Sequence, residues 1–123
     1  MSGGGKTILI VEDDEDVREM LATTLELEGT EVVTAANGLE AYHLARLHHP
    51  KLIVLDLMMP VMDGWEFRRR QRGDPQLAGV PVVVLSALDQ SRAADLDGAA
   101  FLKKPLDFDR LLELVRHYCR NSH

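Results

Sequence analysis

A chain of 123 residues is long enough to bury one hydrophobic core and too short for two. Its 14 Lys and Arg against 20 Asp and Glu give a net charge of −6, which disfavours non-specific binding to nucleic acid or an anionic membrane and points toward a protein or small-anion partner. A single cysteine, Cys119, excludes an intramolecular disulfide, and with neither a signal peptide nor a run of about 20 apolar residues the chain reads as cytoplasmic and not membrane-bound.

Residues 1–5, carrying Ser2-Gly3-Gly4-Gly5, read as a flexible leader, residues 6–120 as the domain and residues 121–123 as a C-terminal tail. The first apolar run, 8–11, predicts a strand that ends in Glu12 and Asp13. The acids Asp14, Glu15 and Asp16 suit the positive end of a helix dipole. Val17, Met20, Leu21, Thr24 and Leu25 then recur at helical spacing, and Gly29 follows as a left-handed cap. Residues 31–35 read as the second strand. Asn37 with Glu40 forms a capping box before a helix running to about residue 47, and Pro50 separates it from the third strand.

That third run, 52–55, is four large aliphatics in succession, the pattern of a strand buried on both faces, and Asp56 comes directly after it. Asp63 and Glu66 repeat the capping signature for a third helix, ended by Gly73 and Pro75. A fourth run, 82–85, ends in Ser86. Between it and a fifth run ending in Lys104 and Pro105, two loops leave about two turns of helix, placed at 91–96. Phe108, Leu111, Leu112, Val115 and Tyr118 or Cys119 line one stripe of the last helix.

Runs alternating with helices predict an α/β fold, a parallel sheet built from βαβ units, whose ligands bind at the carboxyl ends of the strands. Glu12, Asp13, Asp56, Ser86 and Lys104 all occupy such ends. Three acids suit a magnesium ion, which takes a few hard oxygens and keeps several waters. A carboxylate can accept a phosphoryl group when a cation and fixed donors neutralise the oxygens, roles open to Lys104 and Ser86. Other features take blander readings. Arg68, Arg69, Arg70 and Arg72 read as a solvated face whose stems cover apolar surface. His43, His48, His49, His117 and His123 read as surface or packing residues, Trp65 as packing, Met59 and Met62 as loop and core, and Cys119 as a buried thiol.

Four segments together resemble the receiver domain of two-component response regulators, from residue 6 to about residue 118. They are Ile8-Leu-Ile-Val-Glu-Asp-Asp14, Leu52-Ile-Val-Leu-Asp-Leu-Met-Met-Pro-Val-Met-Asp-Gly64, Val82-Val-Val-Leu-Ser-Ala87 and Phe101-Leu-Lys-Lys-Pro105. The resemblance implies a doubly wound, flavodoxin-like sandwich with five parallel strands in the order 2-1-3-4-5. It implies Asp56 as phosphoacceptor, with a histidine kinase or histidine phosphotransfer protein as donor and a downstream protein as target. It further implies Mg2+ held by Asp13, Asp56 and the carbonyl of Met58, with Glu12 acting indirectly, Lys104 rather than Lys103 as the catalytic cation, and a cis Lys104-Pro105 bond. Ser86 and Phe101 would couple phosphorylation to the far face. The shortened fourth helix departs from the family by about one turn, which bears on the usual output surface.

Two other chemistries use similar parts. A magnesium-dependent phosphatase of the haloacid-dehalogenase type needs a second acid two residues after its nucleophile, and here Met58 stands there. A flavodoxin-like electron carrier needs a hydroxyl-rich loop after the first strand, where this chain's acids would repel the flavin phosphate. A degenerate receiver acting as a binding module would lack the intact site. A signalling receiver, whose phosphotransfer chemistry acts on itself rather than on a substrate, accounts for all five strand-end residues.

Overall fold

The computed structural model describes residues 7–57, 59, 61–86, 100–103 and 107–120. The leader, the tail with His123, the helix expected at 91–96, the Met58 carbonyl, Lys104, and the expected cis bond to Pro105 lie outside the described residues.

In chain order the elements are β1 (Thr7–Val11), α1 (Glu15–Glu26), β2 (Glu31–Ala35), α2 (Gly38–His48), β3 (Leu52–Asp56), α3 (Gly64–Arg72), β4 (Val82–Ser86), β5 (Ala100–Lys103) and α4 (Phe108–Arg120). The strands form one parallel sheet in the order β2-β1-β3-β4-β5, as expected for a flavodoxin-like, doubly wound fold. Alternation along each strand feeds two separate cores. Leu9, Val11, Ile53, Leu55, Val82 and Val84 pack with Ala41 and Ala45 of α2 and Phe67 of α3. Ile8, Ile10, Leu52, Val54, Val83 and Leu85 pack with Leu21 and Leu25 of α1 and Leu111 and Val115 of α4. Burying each such side chain contributes about 1.5–3 kcal/mol, so β1, β3 and β4, buried at every residue, form the stiff middle of the molecule.

α2 and α3 begin where their capping signatures predict, and α1 takes its cap from Asp14, the first of the acids read as suiting its positive end. Asp14, Asn37 and Asp63 accept hydrogen bonds from the amides of Val17 (3.1 Å), Glu40 (2.9 Å) and Glu66 (2.9 Å). Glu40 reaches back one residue past the cap, its carboxylate accepting from the Ala36 amide at 2.7 Å. Glu66 does not reach back: its carboxylate turns to Arg69 and Arg70, whose hydrogen bonds, Arg69's first, hold it below the usual carboxylate range, with their charges adding to the effect. Gly29 takes the left-handed conformation (φ 87°), two residues beyond the α1 cap at Leu27. Two expectations change. Met20 is exposed, because the buried stripe of α1 runs through Leu21 and Leu25 and leaves the neighbouring position in solvent. Cys119 is half-buried rather than buried, packing against the edge of the second core from the last turn of α4. Arg116 of α4 reaches Glu28 after α1 at 2.9 Å, and this hydrogen bond lowers the Glu28 pKa. Among the described residues no helix is long and apolar enough to cross a membrane.

Candidate functional site

Register brings the acids together. Val11 lies opposite Leu55 in the β1–β3 ladder, so the next residues along each strand, Glu12 and Asp56, leave the sheet side by side. Carboxylate oxygens of Glu12, Asp13 and Asp56 all lie within 4.8 Å of one another. Glu12 is 1% exposed and Asp56 3%, whereas Asp13 stands in solvent. Three carboxylates at that spacing repel, more strongly for the two shielded from water, and a cation relieves the repulsion. The donor set fits Mg2+: hard oxygens, few of them, with an exposed side for waters. No histidine joins this group among the described residues; His43, His48, His49 and His117 are all exposed.

The acidic loop is held from both sides. The Glu12 amide donates to the Ala35 carbonyl of β2 at 3.0 Å, and the Asp14 amide donates to Glu12 Oε2 at 3.2 Å. From α1, Arg18 Nη1 donates to the Glu12 carbonyl at 2.9 Å and, at the long limit, to the Asp13 carbonyl at 3.5 Å. Asp14, Glu15 and Asp16 are exposed, as a helix start should be.

Behind Asp56 the chain turns tightly. The Leu57 amide donates to the Leu85 carbonyl (3.3 Å), the Gly64 amide to the Leu57 carbonyl (3.0 Å), and the Gly38 amide, from the start of α2, to the Met62 carbonyl (2.9 Å). Both glycines are required by close approach: a Cβ on Gly64 would lie 2.8 Å from the Asp56 carbonyl oxygen, and one on Gly38 would lie 2.5 Å from the Met62 carbonyl oxygen. Met59 and Met62 are buried in the core, and Trp65 packs half-buried against it, as expected. Val61 adopts φ 68°, a left-handed conformation that crowds a β-branched side chain, and is 78% exposed.

Ser86 is buried at the end of β4, one residue beyond Leu85, which pairs with Asp56. Phe101, half-buried, lies on β5 opposite Val84 and packs against the core shared with α2 and α3. Ser86 faces Lys103 in the register.

The reading of α3 as a wholly solvated basic face needs correction, because Arg68 is buried. Its Nη1 donates to Gln71 Oε1 at 2.8 Å, while the Gln71 amide donates to the carbonyls of Leu77 (3.0 Å) and Val80 (2.9 Å). Nearby Asp74 accepts from the Gln76 amide and from Tyr42, both at 2.9 Å, and pairs with Arg46 at 3.5 Å. These interactions lower its pKa, the Gln76 bond most. They anchor the loop between α3 and β4, and so the strand that carries Ser86. Sequence reasoning missed Arg18, Gly38, Gly64 and Gln71. Gly64 left a trace in the Asp-Gly pair at 63–64, which also suits a plain turn; Arg18 and Gln71 left none, since a charged or amide residue on a helix signals nothing until its neighbours are known.

The response regulator receiver domain model matches residues 8–116. The chain is 32% identical over 117 residues to the polar-differentiation response regulator DivK of Brucella ovis, covering 92% of this chain and 95% of that protein. Among solved structures, the Francisella response regulator 1452 receiver domain superposes with a TM-score of 0.88 at 29% identity, over 96% of this chain and 99% of that one. The signal receiver domain of a signal transduction histidine kinase from Syntrophus aciditrophicus superposes with a TM-score of 0.85 at 32% identity, over 96% and 95% of the two chains.

Proposed function

The chain belongs to the response regulator receiver domain family of two-component signalling, and from that premise we propose that Asp56 accepts a phosphoryl group from the histidine of a kinase or of a phosphotransfer protein. The observation that carries the proposal is the carboxylate trio of Glu12, Asp13 and Asp56 within 4.8 Å at the carboxyl edge of the sheet.

In the proposed reaction an Asp56 carboxylate oxygen attacks phosphorus, the phosphorus–nitrogen bond breaks, its electron pair stays on the departing imidazole nitrogen, and an acyl phosphate remains. Asp13, Asp56 and the Met58 carbonyl would hold Mg2+, with Glu12 beside them, and the charge neutralisation it supplies when bound lets an anionic phosphoryl group approach these acids. Ser86 donates its hydroxyl to a phosphoryl oxygen, and Lys104 sets its ammonium against the charge that develops. The short turn from Leu57 to Gly64 keeps Asp56 from retreating, so reorganisation is small.

The product adds negative charge beside Ser86, and the response we propose is a movement of that hydroxyl with a shift of Phe101, altering a surface read by a downstream protein rather than by nucleic acid. Residues 6–120 form the receiver unit in this reading, a cytoplasmic switch that turns over no substrate but its own phosphoryl group. The test is incubation with acetyl phosphate and MgCl2 followed by intact mass. One base-labile phosphoryl group per chain, absent in Asp56→Asn and without Mg2+, is the expected result. The same labile adduct at the same level in Asp56→Asn would overturn the assignment.

A further inference from the structure

We propose that Arg18 is a positioning residue for the acidic site: by gripping the carbonyls of Glu12 and Asp13 from the first turn of α1, it presets their carboxylates against Asp56 for a divalent cation. The inference rests on the reading of this site as the Mg2+ site and adds to it a residue outside the strand-end group. The backbone amides that flank the loop are those of Glu12, bonded to Ala35, and Arg18 itself, bonded to the Asp14 carbonyl at 2.9 Å. Between these two anchors the chain leaves β1, turns and enters α1, and the Arg18 side chain crosses that turn to reach the Glu12 carbonyl at 2.9 Å and the Asp13 carbonyl at 3.5 Å.

Direction favours this reach, since side chains on a helix point back toward its N-terminus. The residue type suits it as well. Both contacts come from one nitrogen, Nη1, whose N–H bonds the planar guanidinium holds in a fixed direction, whereas the three donors of an ammonium rotate freely at the end of a flexible stem. Asp13 is the exposed member of the trio, so burial does little to immobilise it, and a tether on its own peptide group is the economical way to hold it in place.

Arg18 also brings a positive charge toward a cation site, and that gives the proposal a decisive sign. If the tether dominates, removing the side chain weakens Mg2+ binding; if the charge dominates, removal strengthens it. MgCl2 is titrated into the full chain and into Arg18→Met, Arg18→Lys and Asp13→Ala, following amide chemical shifts, with thermal midpoints measured without metal. Expected are an apparent Mg2+ affinity about fivefold to tenfold weaker in Arg18→Met, partial recovery in Arg18→Lys, and near-complete loss in Asp13→Ala. Unchanged or tighter binding in Arg18→Met, with Asp13→Ala still defective, overturns the proposal alone, even if the thermal midpoint falls. Absence of saturable binding in the unsubstituted chain, or binding indifferent to Asp13→Ala, overturns the reading of the site and the proposal with it.

Discussion

Replacing Gly64 by Ala tests how tightly the turn behind Asp56 is built. The added Cβ would sit 2.8 Å from the Asp56 carbonyl oxygen, the Leu57 Cα and the Leu57 Cδ2. Carbon contacts are comfortable near 3.5–4.0 Å, so something must move by about 0.7 Å. Two of the three atoms are backbone at the end of a strand buried along its whole length, which cannot swing aside as a side-chain tip would. Overpacking of this kind costs about 1–3 kcal/mol. Ala gains up to about 1 kcal/mol over Gly in a helix, and less at its first residue, which is where Gly64 stands. The net is a destabilisation of about 1–2 kcal/mol, or roughly 4–8 °C in Tm for a domain of this size. Thermal denaturation measures it, and Mg2+ titration reports whether Asp56 has moved. A Tm equal to or above that of the unsubstituted chain, with unchanged Mg2+ affinity, would show that the turn yields freely and refute the reasoning.

Three further outcomes are expected. Val61→Gly should raise Tm by roughly 2–4 °C, because a left-handed conformation costs a side chain about 1–2 kcal/mol and the extra freedom of glycine in the unfolded chain returns only about 0.5–1 kcal/mol; a lower Tm would mean that the Val61 side chain stabilises the loop despite its exposure. Gln71→Leu should cost about 2–4 kcal/mol in urea unfolding, since it strips partners from the carbonyls of Leu77 and Val80 and from Arg68, and a loss below about 1 kcal/mol would show that the loop does not depend on them. The lowered pKa of Asp74 means that the unfolded state binds its proton more readily, so the stability it contributes is complete above its ordinary value of 3.8 and disappears as pH falls through the lower folded value. Asp74→Asn should therefore flatten the acid limb of a Tm-against-pH curve, and an unaltered limb would assign acid sensitivity elsewhere.

The alternation of apolar runs with helical periodicity was enough to place β1, β3 and β4 within a residue, because a parallel sheet covered on both faces demands continuous aliphatics, and runs such as 52–55 can meet that demand in few other ways; the fifth run reads as ending at Lys104 and Pro105, whereas β5 ends at Lys103. The same logic located Asp56, Glu12 and Asp13, since a residue at or just past the last position of a buried strand emerges at the carboxyl edge of the sheet. Local caps were legible for the same reason: Asn37 and Asp63 act within one turn of their own chain. Tertiary structure decided whatever depends on distant neighbours. Which face of α1 is buried turned Met20 outward, and the packing of α3 buried Arg68, which composition had assigned to solvent. Gly64 is required by the Asp56 carbonyl and Gly38 by the Met62 carbonyl, and Arg18 acquires its role only once α1 has folded back over the loop that precedes it. A strand's burial is written in its own residues, whereas a close approach or a tether is a property of two segments and becomes visible only when the fold has brought them together.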